Sequence, residues 1–258
     1  MASSLQLAWH EEFRIRNYEV GLAGRVTVQS LFHYLIETAG NHAKHLGVSM
    51  TDLLARGQAW VLSRLKLQVE HYPSWPTTVR VESWPSGRQP LFALRDFRLT
   101  DTEGRGVGSA TSSWMIIDVK RRRPVKIPEI YNDFVNHEKG RAIASDFPRL
   151  STPERWDAEE VFTVRLSDLD INQHVNAVRY LELALETVPQ QIQLNSLLTD
   201  LEIDYRAESV YGDSVIARCQ IESEGSHYRV VHGLCQQETG KELTSLVTIW
   251  REMETSAG

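Results

Sequence analysis

The chain has 258 residues, of which 41% are hydrophobic and 24% are charged, and its formal net charge is −6. This composition is typical of a globular protein with one large or two small cores, and the acidic balance argues against a general affinity for nucleic acid. No apolar run approaches the roughly 20 residues that span a bilayer, and the start, MASSLQLAWHEEF, lacks the pattern of a secretion signal. Cys219 and Cys235 are too few for a disulfide framework and lack the histidine cluster of a zinc site, so we expect a reducing, cytoplasmic location.

The first part of the chain predicts one helix followed by a sheet. Apolar residues recur at three- and four-residue steps over residues 28–46, which is typical of a helix with one buried face. Alternating apolar and polar residues, separated by Pro and Gly turns, predict strands at residues 65–70, 79–83, 92–99 and 112–118. We therefore predict a first domain at residues 1–118 and a linker at residues 119–160, a segment rich in charge and proline.

The second part, residues 161–258, repeats this order and is the predicted second domain. A helical pattern is followed by alternating stretches at residues 201–206, 214–222, 228–235 and 243–250. One helix packed on one face of an antiparallel sheet is an α+β unit, and this is the predicted fold class of each domain.

The two parts align as a tandem duplication. Residues 13–39 match residues 162–188 without a gap at an offset of 149, and Phe13 corresponds to Phe162. After the helices the offset becomes 136, and Trp114 corresponds to Trp250. This period is far longer than that of a solenoid repeat, so two related domains are expected.

A set of titratable residues lies on the predicted first helix: His33, Glu37, His42 and His45. Their spacing raises the question of a metal site, but the second helix supplies no matching carboxylate and histidine pair. Hydrogen-bonded or solvated histidines beside the core are the favoured interpretation.

The stretch SDLDINQHVNAVRYLE, residues 167–182, places several short polar side chains where the second helix begins. Capping explains one of them, because Asp170, Asn172 or Asn176 could accept a hydrogen bond from an N–H of the first turn. A cap needs only one such residue. The surplus, together with His174, suggests a functional site as the alternative.

The duplication provides an internal control for this stretch. The second copy alone carries polar residues at three aligned positions: Asp170 for Gly21, Asn172 for Ala23 and His174 for Arg25. At the later offset, Glu208 corresponds to Tyr72 and follows a predicted strand. A capping requirement shared by both helices would have kept similar residues in both copies, so the comparison favours a site in the second copy.

These residue types form a set able to hydrolyse an acyl bond. A carboxylate or an imidazole can activate water as general base, typically a 10²–10⁴-fold effect. An amide side chain and free N–H groups at a helix start can hold the oxyanion. This chemistry requires neither a metal nor an organic cofactor.

The motifs resemble the plant-type acyl-acyl carrier protein thioesterase family. The resemblance is carried by SDLDINQHVNAVRYLELALETVPQQI and LEIDYRAES in the second copy, and by LFHYLIETAGNHAKHLG and SSWMIIDVKRRRPVKIPE in the first. It implies a tandem double hotdog, in which a long central helix of each unit is wrapped by an antiparallel sheet, and release of fatty acids from acyl carrier protein. The region begins about a dozen residues after Met1, without a plastid transit peptide, so we expect a bacterial-like member or a processed form.

The resemblance implies a catalytic set of four residues: Asp170, Asn172, His174 and Glu208. Glu208 and His174 are expected to activate water, Asn172 to orient the water or the carbonyl, and Asp170 to hold its neighbours. Ser209 stands where the plant members commonly carry cysteine, which argues against an obligatory thiolate.

The resemblance also places the acyl chain in the first copy. Residues 60–69, beginning at Trp60, are therefore expected to line its tunnel, with ordinary core packing as the alternative. The carrier protein is anionic, and the basic run KRRRPVK offers Arg121, Arg122 and Arg123 for docking unless it is a solvated loop. A homodimer is compatible with the sequence.

Three other functions stay open at this stage. An acyl-CoA thioesterase would keep the fold and change the carrier. A hotdog dehydratase also pairs histidine with an acid, although Asn172 and Glu208 fit water attack better. A non-catalytic acyl-binding module would not need all four site residues.

Overall fold

Each half of the chain builds one antiparallel sheet against a main helix. The computed structural model describes residues 6–153 and 155–253. The chain divides into a first unit, Met1–Asp146, and a second unit, Phe147–Gly258. Across the described residues, no helix is both long and apolar enough to cross a membrane.

The first unit carries its strands in the order β1-β3-β4-β5-β2, with β6 paired to β5. The strands are β1 (Trp9–Arg14), β2 (Gln58–Val69), β3 (Thr78–Arg88), β4 (Ala93–Asp101), β5 (Gly106–Asp118) and β6 (Arg123–Val125). The helices are α1 (Val28–His45) and α2 (Met50–Leu54), with 3₁₀ turns at Asn17–Glu19 and Glu129–Phe134.

Helix α1 begins and ends where its sequence dictates. The Thr27 hydroxyl accepts a hydrogen bond from the N–H of Ser30 and caps the first turn. Gly47, at φ 71°, ends the helix in the left-handed conformation that glycine adopts without strain. Leu31 and Leu35 of the predicted apolar face are completely buried, which confirms that this face packs into the core.

The second unit has the equivalent strand order, β8-β11-β10-β9-β7. Its strands are β7 (Ala158–Thr163), β8 (Ser196–Tyr205), β9 (Ser214–Glu224), β10 (His227–Gln236) and β11 (Glu242–Glu252). Its helices are α3 (Ala177–Glu186) and α4 (Gln190–Asn195), with a 3₁₀ turn at Leu166–Asp168. The α+β class predicted for both halves is confirmed.

The main helix of the second unit is shorter than that of the first. Helix α3 has 10 residues, whereas α1 has 18. Pro189 explains the difference, because proline lacks an N–H and disfavours the helical conformation of the preceding residue. The chain ends α3 at Glu186 and restarts as α4 just after this proline.

The segment predicted as a linker, residues 119–160, differs from that expectation. Its first half contains β6 and a 3₁₀ turn, and Tyr131 and Phe134 are buried in the apolar cluster of the first unit. Further on, Nε of Arg141 lies 3.1 Å from Oδ2 of the fully buried Asp96. The division between the units therefore follows Asp146 rather than residue 118. The segment was predicted as a linker because it is rich in charge and proline, and its few apolar residues, which anchor it to the first unit, were given too little weight.

The duplication is visible in the backbone as well as in the sequence. Phe13 pairs with Val79 in the first unit, and Phe162 pairs with Val215 in the second. The residues before each main helix also match, because Gly24 has φ 66° and its counterpart Gln173 has φ 64°. The two copies therefore share the strand and the turn that lead into each main helix, although the helices themselves differ in length.

Candidate active site

The polar stretch predicted as a site forms a tight turn just before α3. An isolated bridge joins Leu169 to Val175. Inside it, the N–H of Asp170 donates to the carbonyl of His174 at 2.8 Å. The cap of α3 is Asn176, whose Oδ1 accepts from the N–H of Val178 at 2.9 Å. Capping is therefore satisfied by Asn176, and Asp170 and His174 are left for other roles.

The Asp170 carboxylate organises the inside of this turn. Its Oδ1 accepts the N–H of Asn172 at 2.8 Å and the N–H of His174 at 3.3 Å. Its Oδ2 lies 3.5 Å from the amide nitrogen of Asn172. One side chain thus contacts both the backbone that carries the imidazole and the amide of Asn172.

Glu208 reaches the turn from the loop that follows β8. Its Oε2 lies 3.2 Å from Nδ1 of His174, and about a third of each side chain is exposed. The loop is fastened to the turn because the carbonyl of Ser209 accepts the N–H of Val175 at 3.0 Å. A carboxylate this close to Nδ1 can orient the imidazole and leave Nε2 to act as a base toward water.

The first unit shows that this turn does not need its polar side chains. There the N–H of Gly21 donates to the carbonyl of Arg25 at 2.9 Å, and the N–H of Val26 donates to that of Pro73 at 2.9 Å. These are the same backbone bonds, formed without Asp, Asn or His at the equivalent positions. The turn therefore forms in the first copy without these side chains, which favours a chemical role for Asn172 and His174 in the second.

Ser209, next to Glu208, forms its side-chain hydrogen bond with Asp213 and not with His174. It is almost completely buried, and its hydroxyl donates to Oδ2 of Asp213 at 2.7 Å. Partial burial opposes ionisation of Asp213, but hydrogen bonds from the Ser209 hydroxyl and the Val210 N–H outweigh it and keep the pKa of Asp213 below its ordinary value. A hydroxyl held in this way lacks the oriented imidazole that activates a nucleophilic serine.

Asp213 is the residue of this region that sequence reasoning missed. It anchors the loop carrying Glu208 through Ser209 and Val210. Aspartate is common in turns, but the residue type alone does not identify Ser209 as its partner.

The histidines of α1 do not form the metal site considered from the sequence. His42 is fully buried, its Nδ1 accepts from Nη1 of Arg95 at 2.9 Å, and its Nε2 donates to the carbonyl of Gln6 at 2.9 Å. Burial, together with the nearby Arg95 charge, lowers the pKa of His42 to about 3. His33 and His45 are exposed instead, and no three His, Cys, Asp or Glu side chains in the described ranges converge on a metal position.

Trp60 lies in the first unit, where its environment is apolar. Its indole N–H donates to the carbonyl of Val48 at 2.8 Å, and its ring meets Tyr131 edge-on at 6.2 Å. The ring packs against a buried cluster: Leu46, Leu53, Ala93, Ile116, Ile127, Tyr131, Phe134 and Val135. This contact is compatible with a core position and with a wall of an acyl-binding region.

The basic run forms the exposed tip of the β5–β6 hairpin. The N–H of Arg121 donates to Oδ1 of Asp118 and the N–H of Arg122 to its carbonyl, both at 2.8 Å. Arg123 opens β6 opposite Asp118. All three arginine residues are exposed, and the turn is fastened through backbone N–H groups. The guanidinium groups are therefore not needed to hold these turn bonds.

Comparison with known families gives one consistent result. Residues 6–134 match the acyl-ACP thioesterase N-terminal domain, and residues 152–252 match the acyl-ACP thioesterase C-terminal domain. The dodecanoyl-[acyl-carrier-protein] hydrolase of Cinnamomum camphora is 31% identical over 270 residues, covering 97% of this chain and 69% of the relative. The palmitoyl-acyl carrier protein thioesterase of Cuphea hookeriana is 29% identical over 259 residues, covering 95% and 62%. Both relatives are named as chloroplastic, and this chain spans roughly two thirds of their length.

Solved structures show the same similarity. The 12:0-ACP thioesterase from Umbellularia californica superposes with a TM-score of 0.86 at 28% identity, covering 96% of this chain and 95% of that one. An acyl-ACP thioesterase from Bacteroides thetaiotaomicron gives a TM-score of 0.83 at 26% identity, with 95% and 98% covered. The double-hotdog α+β fold expected from the sequence is thereby confirmed.

Proposed function

Because the chain belongs to the acyl-ACP thioesterase family, we propose that it is a hydrolase that cleaves fatty acyl thioesters of acyl carrier protein in fatty acid biosynthesis. The products are the free fatty acid and the carrier with its thiol restored. The observation that carries the proposal is the contact between His174 and Glu208 at 3.2 Å, beside a turn whose polar residues the first copy lacks.

Glu208 and His174 activate the attacking water in this proposal. With Nδ1 held by the Glu208 carboxylate, Nε2 of His174 takes a proton as the water oxygen bonds to the thioester carbonyl carbon. The carbonyl electron pair moves to oxygen and then returns as the carbon–sulfur bond breaks. The departing carrier thiolate takes the proton from the imidazolium, which restores the site.

Asn172 and Asp170 support this chemistry without exchanging protons. The Asn172 amide is the hydrogen-bond donor for the water or for the developing oxyanion, where one preorganised donor has an effect of about 10²–10³ on turnover. Asp170 positions Asn172 and His174 through the backbone bonds of the turn.

The two units divide the work in this proposal. The second unit is catalytic, because all four site residues lie in it. The first unit binds the acyl chain, and residues 60–69 of β2 with Trp60 form part of the wall. Support comes from the apolar cluster against which Trp60 packs.

Docking of the carrier protein is assigned to the tip of the β5–β6 hairpin. Arg121, Arg122 and Arg123 are exposed there on a chain whose net charge is −6. A local cationic patch on an acidic protein steers an anionic partner to one place, mainly by raising the association rate.

A cytoplasmic location and a homodimer complete the proposal. The unpaired state of Cys219 and Cys235 supports a reducing compartment. Light scattering of the purified chain measures the oligomeric state, and microscopy of the tagged chain in its own cell measures the location.

The test of the proposed function is a comparison of carriers. The same acyl chain is presented on acyl carrier protein and on CoA, and thiol release and free fatty acid are both measured. The proposal expects faster release from the carrier protein and free fatty acid as the organic product. Preferential release from CoA would favour an acyl-CoA thioesterase, dehydration of a 3-hydroxyacyl chain would indicate a lyase, and binding without turnover would indicate a non-catalytic module.

A further inference from the structure

The second unit contains a cavity of about 210 Å³ between β7 and α3, open to solvent beside the exposed Val161, Thr163 and Arg165. Residues of the strand, the 3₁₀ turn and the helix line it, including Phe162, Arg165, Asp168, Val175, Arg179 and Leu183. None of these is among the four proposed catalytic residues.

The first unit fills the same place with a tyrosine. Tyr34 is the counterpart of Leu183, and Phe13 is the counterpart of Phe162. The Tyr34 and Phe13 rings stack with centroids 4.4 Å apart and planes 7° apart, and Tyr34 is almost completely buried. Because the backbone of the two copies matches here, the cavity is the space that a tyrosine side chain would occupy.

The second unit also keeps a counterpart of the carboxylate that binds the Tyr34 hydroxyl in the first unit. In the first unit the Tyr34 hydroxyl donates to Oε2 of Glu19 at 2.8 Å, and the same oxygen accepts the N–H of Arg16 at 2.8 Å. The counterpart of Glu19 is Asp168, whose Oδ2 accepts the N–H of Arg165 at 2.8 Å. The second unit therefore keeps a carboxylate acceptor held in the same backbone bond.

Arg179 distinguishes the cavity from a simple packing defect. It stands where the first copy has Ser30, and its Nε lies 2.9 Å from Oδ1 of Asp168. It also pairs with Glu182. Where the first copy has the Tyr34 ring, the second copy has an open space bordered by the charged side chain of Arg179. The ion pair between Arg179 and Asp168 holds the Asp168 carboxylate at the edge of that space.

We propose that this cavity binds a small phenol, with its ring stacked on Phe162 and its hydroxyl donating to Asp168. A cavity of about 150 Å³ is enough to hold one benzene ring in a protein interior, so the observed volume admits one ring and its substituents. Stacking on an aromatic face and a hydrogen bond to a carboxylate oxygen are the two contacts that Tyr34 makes in the first copy.

The experiment uses 4-methylphenol, the side chain of tyrosine, and toluene, which lacks the hydroxyl. Titrations of the full chain followed by NMR or calorimetry need no acyl thioester, so their result is independent of the proposed enzyme activity. We expect saturable binding of one 4-methylphenol, with toluene weaker by about tenfold or more because the hydrogen bond to a charged group is lost. Equal binding of toluene, or no saturable binding of either, would overturn the proposal.

Two variants locate the site. Leu183→Tyr should fill the cavity, abolish 4-methylphenol binding and raise Tm by burying an aromatic ring against Phe162. Tyr34→Leu should open the matching cavity in the first unit and add a second equivalent of bound 4-methylphenol. If Tyr34→Leu does not fold, the comparison of the native chain with Leu183→Tyr still decides the question. Unchanged binding in Leu183→Tyr, or a folded Tyr34→Leu that binds only one equivalent, would contradict the inference.

Discussion

Nδ1 of His174 lies 3.2 Å from Oε2 of Glu208, and the two side chains are presented by different loops of the second unit. The turn that carries His174 forms in the first unit without any of these polar residues. The pair is therefore best explained by chemistry.

Alanine at Asp170, Asn172 or His174 should lower thioesterase turnover by about 10²-fold or more, the scale of a lost base or oxyanion donor. Arg25→Ala is the matched control, because Arg25 occupies the His174 position in the first copy. Steady-state turnover with an acyl-ACP substrate, alongside Tm, measures both. A folded His174→Ala enzyme with full turnover would refute the assignment of the site to the second copy.

Reversing the charge of Arg121, Arg122 and Arg123 to glutamate should raise KM for acyl-ACP by about tenfold at low salt, because steered association is lost. The turn should survive, since Asp118 holds it through backbone N–H groups. A carrier-free thioester analogue serves as the control and should be hydrolysed almost as before. Equal losses on both substrates would mean that the basic run has a structural role.

Ser209→Ala should keep turnover within about tenfold of the native chain, a barrier change of roughly 1.4 kcal/mol. The reason is that the Ser209 hydroxyl donates to Asp213 and not to the imidazole. The hydrogen bond from the Val210 N–H to Asp213, 3.0 Å long in the native chain, does not involve the Ser209 side chain. Ser209→Cys should be tolerated similarly. A loss of about a thousandfold with intact folding, together with an acylated Ser209 in mass spectra, would establish covalent catalysis instead.

Stability should fall as the pH is lowered from about 6.5 toward 3, with His232 contributing. This residue is fully buried, its Nε2 lies 3.0 Å from the Thr248 hydroxyl, and burial lowers its pKa to about 3. Between that value and the unfolded pKa of about 6.5, the unfolded chain binds a proton that the native chain does not. The contribution is a slope of about 1.4 kcal/mol per pH unit, absent above that window.

His232→Gln should reduce this slope by one proton while lowering stability at neutral pH. Denaturant unfolding at a series of pH values measures both quantities. Identical slopes in the variant and in the native chain would show that His232 is not the group that takes up the proton.

Local sequence patterns predicted the fold well because they report burial directly. The apolar stripe of α1, the alternation of the strands and the two repeat offsets all correspond to observed elements. The linker was misjudged because anchoring by Tyr131 and Phe134 depends on a cluster assembled from distant segments. The early end of α3 could have been read from Pro189.

The candidate site could be predicted from the sequence for a different reason, namely the duplication. The duplication allowed Asp170, Asn172, His174 and Glu208 to be compared with their counterparts, which separates residues needed for folding from the rest. The role of Asp213 and the existence of the cavity beside Leu183 could not be predicted from the sequence. The first depends on the contact with Ser209 in the folded chain, and the second depends on how the side chains around Leu183 pack.

The most direct test of the central claim is single-turnover release of free fatty acid from acyl-ACP by the native chain and by Glu208→Gln. Glutamine preserves the size of the side chain and removes the charge that faces His174. The account predicts hydrolysis by the native chain and a rate lower by about 10²-fold or more in the variant, with Tm nearly unchanged. No hydrolysis by the folded native chain, or full activity in Glu208→Gln, would contradict it.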